Sequence, residues 1–374
     1  MHRIIVVGLL IVGRSMVAPP PTGAFQDRSL PTATASEVGL DADLVRRADS
    51  VADRDLPALL SLLVVRRGKL ALERYYHGAT AATAINVKSV SKSIQSATVG
   101  VARAAGLIAN LDEPVAAILP ELYARPVPTY SGFAAAIRQM DAARRQVTLR
   151  HLLAMSSGYG WQETGLVMNA FLVNPHPAQF VADLPMESPP GATFHYSTGA
   201  THLLSAAIAK KTGMNPRTFT ETRLLEPAGI RLLGWDADPQ GINIGGSEML
   251  LTSLGMARFG LLFLGGGTID GRRIIPSEWV EQSWAKQIEV KTPVYRDLIP
   301  GLDGYGYLWW RRSVSGVAWY CALGFGGQFV LIAPSLDVVV AGGSALDGRN
   351  PGMQKQFEGI FQLVDRYLQP AAGR

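Results

Sequence analysis

With a single cysteine, Cys321, the 374-residue chain can form no internal disulfide and no zinc site built on several thiolates. Histidine is also scarce. The six residues His2, His77, His151, His176, His195 and His202 fall at no familiar metal spacing, and no His-Glu-x-x-His occurs. Neither a metal nor a cofactor is expected. There is no Gly-x-x-x-x-Gly-Lys-Ser/Thr phosphate loop and no Gly-x-Gly-x-x-Gly. The Gly-x-Ser-x-Gly elbow is missing too, which disfavours the α/β-hydrolase route to a serine nucleophile. Charged residues make up only 17% of the chain, and the net charge of +5 is not gathered into a basic patch. A nucleic-acid partner is therefore not expected. The hydrophobic fraction of 48% is ample for a core and excludes a disordered chain.

Long apolar runs are absent as well. The longest candidate, Ile4–Gly13, is cut short by Arg14 and falls well below the roughly 20 residues that span a bilayer. Behind Met1-His2-Arg3 and ahead of small residues, it reads as a secretory signal peptide over residues 1–24, with Thr22-Gly23-Ala24 at the cleavage site. No cysteine near that site offers a lipid anchor. The expected mature protein is periplasmic or secreted and has no membrane span.

Residues 25–36 belong to a Pro-, Thr- and Ala-rich stretch that reads as a flexible arm. Asp41–Asp53 follows with a helical pattern and Asp41 as N-cap. Leu59–Arg66 and Leu70–His77 flank Arg67-Gly68 and predict a hairpin. Ser89–Ala105 is a small-residue helix, apolar on most faces and so expected to be buried. Arg150–Met155, Thr201–Thr212 (closed by Gly213) and Ser253–Leu264 are further helices. Near the C-terminus Tyr305–Arg312, Val317–Leu323, Gln328–Ala333 and Val338–Ala341 read as four successive antiparallel strands, and Gln354–Leu368 as a closing amphipathic helix. The fold class is thus α/β of the α+β kind: one antiparallel sheet flanked by N- and C-terminal helices and interrupted by a large, mostly helical insertion. One domain over residues 37–370 is expected, with its sheet part at about 37–88 and 300–370 and its helical part at about 89–299.

Chemistry enters at Ser89-Val90-Ser91-Lys92. Residues three apart share a helix face, so Lys92 can reach the Ser89 hydroxyl. A buried ammonium loses proton affinity and can then take the serine proton. Taken alone the Ser-x-x-Lys motif is weak, because Ser283-Trp284-Ala285-Lys286 repeats it; that second copy follows an ordinary surface helix and reads as decoration. Tyr196, in His195-Tyr196-Ser197-Thr198, would be presented from a loop after Pro189-Pro190-Gly191. A nearby cation such as Lys92 would lower its pKa and make it a base; otherwise it is a half-buried aromatic that closes a loop. Gly324-Phe325-Gly326-Gly327-Gln328 offers either close backbone approach to a ligand or simply a tight hairpin.

In this order the three stretches resemble the serine β-lactamase and penicillin-binding-protein superfamily, most closely class C β-lactamases, DD-peptidases and β-lactamase-like esterases. Three further stretches are similar: Arg150–Gly158, Asp270–Pro276 and Gly304–Trp310. The resemblance implies that Ser89 is acylated while Lys92 and Tyr196 shuttle its proton. It implies an oxyanion hole from the backbone N–H of Ser89 and of Phe325, with Gly324, Gly326 and Thr198 completing the substrate site. Two departures matter. Thr198 replaces the Asn of Tyr-x-Asn, and Ala322 stands where β-lactamases and DD-peptidases place Lys or His. The Gly-x-Gly-Gly-Gln form is more similar to esterases and 6-aminohexanoate-dimer hydrolases of the superfamily. The expected partner is therefore a small ester or amide. The alternatives are a DD-peptidase or β-lactamase, and a non-catalytic binding protein on the same fold. Cys321 beside the third motif reads as a buried, inert thiol. Trp161, Tyr305 and Trp309 are candidates for either the site lining or the core.

Overall fold

A computed structural model describes residues 26–124 and 140–372; the expected signal peptide lies outside them. The strands, in chain order, are β1 Ser61–Arg66, β2 Lys69–Tyr75, β3 Ile85–Asn86, β4 Gly234–Trp235, β5 Met249–Leu251, β6 Thr268–Ile269, β7 Arg272–Arg273, β8 Leu302–Tyr305, β9 Trp310–Val314, β10 Val317–Gly324, β11 Gln328–Ala333 and β12 Val338–Gly342. Seven of them form one sheet in the order β2-β1-β12-β11-β10-β9-β8. Every pair in it is antiparallel. The N-terminal hairpin thus lies beside the last strand of the chain, and the helical block is the insertion between two halves of one sheet.

Strands β11 and β12 are buried along their whole length, as runs such as Val338-Val339-Val340 require. Register shows what covers each face, since alternate residues point to opposite sides. Val330 and Val339 face the Ser253–Leu264 helix, where a Cβ on Gly260 would stand 2.5 Å from Val339 Cγ1. Arg312 and its cross-strand partner Trp319 face the other way. There the Arg312 guanidinium sits 4.4 Å from the Phe361 ring centroid and 2.6 Å from Asp365, while Trp319 Nε1 donates to Gln369 Oε1 at 2.8 Å. The C-terminal helix Met353–Leu363, continued over Val364–Leu368, therefore closes the face opposite the insertion. The Ala42–Asp55 helix packs beside it, capped by Asp41, whose carboxylate accepts from the N–H of Asp43 and of Leu44.

Two sequence expectations need correction. Tyr305–Arg312 is not one strand. β8 stops at Tyr305, β9 starts at Trp310, and Leu308 between them has a left-handed φ of +61°. The peptide groups of this turn serve the helical block instead of a sheet ladder. Leu308 N–H donates to Leu153 O at 2.9 Å, Tyr307 N–H to Ser283 O at 3.0 Å, and Leu308 O accepts from Ser93 Oγ at 2.6 Å. The described part of the expected flexible arm is also packed. Asp27 accepts from the Arg231 N–H and the Thr252 hydroxyl, Leu30 is buried, and Thr32 bridges to Leu70 of β2. Proline and threonine deprive this stretch of regular structure but not of partners.

Candidate active site

The approach to Ser89 is held by an ion pair. Lys88 lies in the left-handed region at φ +48°, and so does Glu248 at φ +67°. Neither residue type favours that backbone. Their side chains are joined, Lys88 Nζ to Glu248 Oε1 at 2.9 Å, and Asn86 Nδ2 donates to Glu248 Oε2 at 2.6 Å. Beneath them β3 pairs with β5. Val90 N–H then donates to Val87 O, and the chain turns into the Val90–Ala104 helix with Ser89 at its N-cap. Ser89 makes no capping bond and stays partly exposed, so its hydroxyl is free for Lys92.

That helix is buried on nearly every face, as its small residues allow. A Cβ on Gly100 would stand 2.3 Å from the Trp279 ring. Lys92 is only 1% exposed. Its Nζ has three neighbours in hydrogen-bond range: Ser89 Oγ at 2.9 Å, Thr198 Oγ1 at 2.9 Å and Gly246 O at 3.0 Å. Burial pushes its pKa down to about 8, against an opposing pull from Glu163. In the neutral amine two protons serve Thr198 and Gly246, and the lone pair faces the Ser89 hydroxyl.

Met155, itself at φ +55°, fixes Tyr196 from both sides. His195 N–H donates to its carbonyl at 2.7 Å and Ser197 N–H to its Sδ at 3.2 Å. The Tyr196 ring lies 4.7 Å from Lys92 Nζ. Around it stand Trp310, stacked at 5.3 Å, Tyr295 at 5.8 Å and Tyr305 at 6.3 Å. The expectation that Lys92 would lower the Tyr196 pKa is overturned. Burial among these rings drives it well above the ordinary phenol value; the negative charge of Glu163 adds to the rise, and a hydrogen bond with Ser89 only opposes it. Tyr196 holds its proton.

Thr198, expected to contact substrate, has its hydroxyl engaged twice within the protein: it accepts from Lys92 and donates to Glu163 Oε2 at 2.9 Å. Ser197 caps the helix Thr198–Thr212, which begins earlier than its sequence pattern indicates. The third motif adjoins the approach to Ser89 through β10. A Cβ on Gly324 would stand 2.3 Å from Val87 O, so only glycine allows this approach. Phe325 follows in the turn, 51% exposed, and Gly326 takes φ +83° with its carbonyl held by Asn350 Nδ2 at 2.7 Å. Among the described residues the backbone N–H groups of Ser89 and Phe325 donate to no protein acceptor.

The second Ser-x-x-Lys does not form a pair. Ser283 is buried, 3.3 Å from Ser96 Oγ, while Lys286 bridges Glu289 and Asp303 at the surface. The helix before it is less of a surface element than its sequence indicates, for Trp279 is buried and donates to Ser96 O at 2.9 Å. Trp309 belongs to the core against Phe259 and Phe263, and Tyr305 to the aromatic group around Tyr196. Burial pushes the Cys321 thiol up to about 12, as an inert thiol requires. Sequence reasoning missed Glu163, Gly246, Tyr295 and Trp310. A lone acid in a Gly-rich loop and one half of Gly245-Gly246 carry no local signature. Among the described residues no group of three or more His, Cys, Asp or Glu is placed to hold a metal ion.

The family model described as Beta-lactamase matches residues 49–365, most of the chain. The chain belongs to the beta-lactamase family. Among solved structures of this fold, a Bacillus anthracis protein assigned as a 6-aminohexanoate-dimer hydrolase superposes with a TM-score of 0.68 at 19% identity, covering 93% of this chain and 88% of its own. EstCE1, a hydrolase with promiscuous acyltransferase activity, gives 0.66 at 15% identity over 85% of this chain and 98% of its own. A penicillin-binding protein from Bacillus halodurans gives 0.63 at 15% identity over 85% and 99%. No curated sequence matches significantly. Within the family the antiparallel sheet with its helical insertion is the shared frame. No helix among the described residues is long and apolar enough to cross a membrane.

Proposed function

We propose that this member of the beta-lactamase family is a serine hydrolase that cleaves small uncharged esters or amides through an acyl-enzyme on Ser89. The observation that carries the reading is the buried Lys92, with a lowered pKa and 2.9 Å from a partly exposed serine hydroxyl. Neutral Lys92 takes the Ser89 proton as Oγ bonds to the substrate carbonyl carbon. The carbonyl oxygen becomes an oxyanion, received by the N–H groups of Ser89 and Phe325. As the tetrahedral centre collapses, the bond to the alcohol or amine breaks, and the Lys92 ammonium returns its proton to that leaving group by way of the Tyr196 hydroxyl. Water then attacks the acyl carbon and gives a proton to neutral Lys92. As the tetrahedral centre collapses the bond to Ser89 Oγ breaks, Lys92 returns that proton to Oγ, and the acid leaves with Ser89 and neutral Lys92 restored.

The choice of an uncharged substrate rests on charge. Ala322 supplies no cation in the third motif, and Glu163 places an acid behind Lys92. A substrate carboxylate would meet no counter-ion from either. The rings of Tyr196, Tyr295 and Trp310 suit an apolar acyl group. The basic and then apolar N-terminus supports export of the mature enzyme.

The test is hydrolysis of p-nitrophenyl butyrate by the wild type and by Ser89→Ala, with circular dichroism to check folding. Turnover that disappears in the folded variant is expected. Equal rates in both proteins would remove Ser89 from the mechanism. Acylation of the wild type by penicillin, lasting or turned over faster than the ester, would transfer the reading to the penicillin-directed branch.

A further inference from the structure

The carboxylate of Glu163 is the end of a hydrogen-bonded line that starts at the nucleophile. Ser89 Oγ meets Lys92 Nζ, Lys92 donates to Thr198 Oγ1, and Thr198 donates to Glu163 Oε2. Glu163 also accepts from the Thr198 backbone N–H and, at 2.9 Å, from Trp161 Nε1. Three donors converge on it and it donates to none, which is how an ionised carboxylate is bound. Its bond to Thr198 decides the direction of the whole line. Because the Thr198 proton is committed to Glu163, the threonine lone pairs face Lys92 and accept from it. Lys92 is thereby held with its remaining valence towards Ser89.

We infer that Glu163 is a positioning residue that fixes Lys92 through Thr198 and, by its charge, favours the Lys92 ammonium. The inference rests on the reading of Lys92 as the proton acceptor for Ser89. Glu163 makes no hydrogen bond to Ser89; its partners are Thr198 and Trp161. It supplies charge at a distance of one side chain and geometry through one hydroxyl.

The surroundings of Lys92 isolate this effect. Its own helix contributes Ser89, the segment before Thr198 contributes the Tyr196 ring, and the loop at Gly246 contributes a carbonyl. Close to that loop the Lys88 ammonium and the Glu248 carboxylate neutralise each other. Tyr295 and Tyr305 stand beyond Tyr196 and keep their protons, since burial and the same Glu163 charge raise them. Glu163 is the one charged group among the described residues that shifts Lys92, and it favours the ammonium. Removing that charge must lower the Lys92 pKa.

The full-length protein carrying lysine labelled with 13C at Cε is titrated by NMR, with the Lys92 signal assigned from its loss in Lys92→Met. In Glu163→Gln, which keeps size but removes the charge and sets an amide N–H where Oε2 accepted the Thr198 proton, the Lys92 midpoint is expected to fall by about one pH unit. The acid limb of kcat/KM for p-nitrophenyl butyrate should fall with it, while KM changes little. Glu163→Asp keeps the charge and serves where Glu163→Gln does not fold. Its midpoint should stay within a few tenths of the wild type, while kcat drops through the shortened reach to Thr198. An unmoved Lys92 midpoint in Glu163→Gln, or a midpoint in Glu163→Asp displaced as far as in Glu163→Gln, overturns the inference. If the midpoint moves as expected but the wild type hydrolyses no ester, the inference stands and the functional reading alone fails.

Discussion

A lysine with a pKa near 8 is the residue on which the proposed chemistry depends, and it makes the pH profile predictable. Lys92 acts as a base only when neutral, so kcat/KM should rise with pH through about 8 and level off above it. Two units below the midpoint roughly one molecule in a hundred holds neutral Lys92, and the rate should be about a hundredfold below its plateau. A pH–rate profile checks this, and an acid limb near pH 6 would transfer the titration to another group. Stability should follow the same group with a definite sign. Burial depresses the folded pKa below the unfolded value of about 10.4, so between these values the unfolded chain binds more protons and stability rises with pH. Below about 8 the full cost of burying the ammonium is present. Tyr196 behaves differently. Its phenol stays protonated throughout this range, so in the proposed cycle it passes a proton and never holds a negative charge at rest. Tyr196→Phe should therefore lower kcat by about tenfold to a thousandfold without moving the acid limb, read from the same profiles.

Elements deliver these side chains to one point, and the loop at Gly245-Gly246 shows how closely. A Cβ on Gly246 would stand 2.4 Å from Thr201 Oγ1 and 2.8 Å from Lys92 Nζ. A Cβ on Gly245 would stand 1.9 Å from the Thr201 carbonyl oxygen, which is backbone. The two neighbours should thus fail differently when changed to alanine. Gly246→Ala displaces movable side chains and should cut kcat at least tenfold with a modest loss of stability. Gly245→Ala forces the backbone apart and should cost about 1–3 kcal/mol. Urea melts and ester kinetics on the two variants separate the outcomes. This loop also marks the limit of what the sequence discloses. Ser89 and Lys92 were legible because both lie on one helix, where three-residue spacing is already a distance. Tyr196 and the Gly324 turn were legible through a resemblance, supported by local patterns of loop and strand end. Gly246 meets Lys92 across 154 positions of chain, Glu163 reaches it through Thr198 across 71, and no periodicity records either approach. The break at Gly306–Trp309 was hidden for a related reason. Its residues suit a strand, and only two carbonyls and a hydroxyl from three surrounding helices turn it out of the sheet.

At the scale of the molecule, the sheet joins the two ends of the chain, and its outer strand β2 needs cover. The N-terminal segment supplies it. Thr32 bridges to Leu70 of β2, and Arg28 sits over Arg258, a guanidinium with no exposed surface. Arg258 donates to Ala228 O at 2.9 Å and 2.7 Å and to Arg28 O at 3.1 Å, and it pairs with Asp270, which Arg28 also reaches. Arg28 Nη1 and Asp270 meet at the surface, where solvent screens them, so the buried Arg258 carries most of the effect. Arg258→Met would strip three carbonyl bonds and leave Asp270 without its buried partner, which should cost about 3 kcal/mol. A chain shortened to begin at Glu37 loses the Asp27, Leu30 and Thr32 contacts and exposes the β2 edge, so it should melt earlier as well. Because Arg258 grips the segment through the Arg28 carbonyl, the two losses share a contact. Measured alone and together by urea denaturation, they should fall short of additivity by about 1 kcal/mol. Strict additivity would mean that Arg258 braces only the Ala228 carbonyl and Asp270, and that the segment is held by Asp27 and the edge of β2 without it.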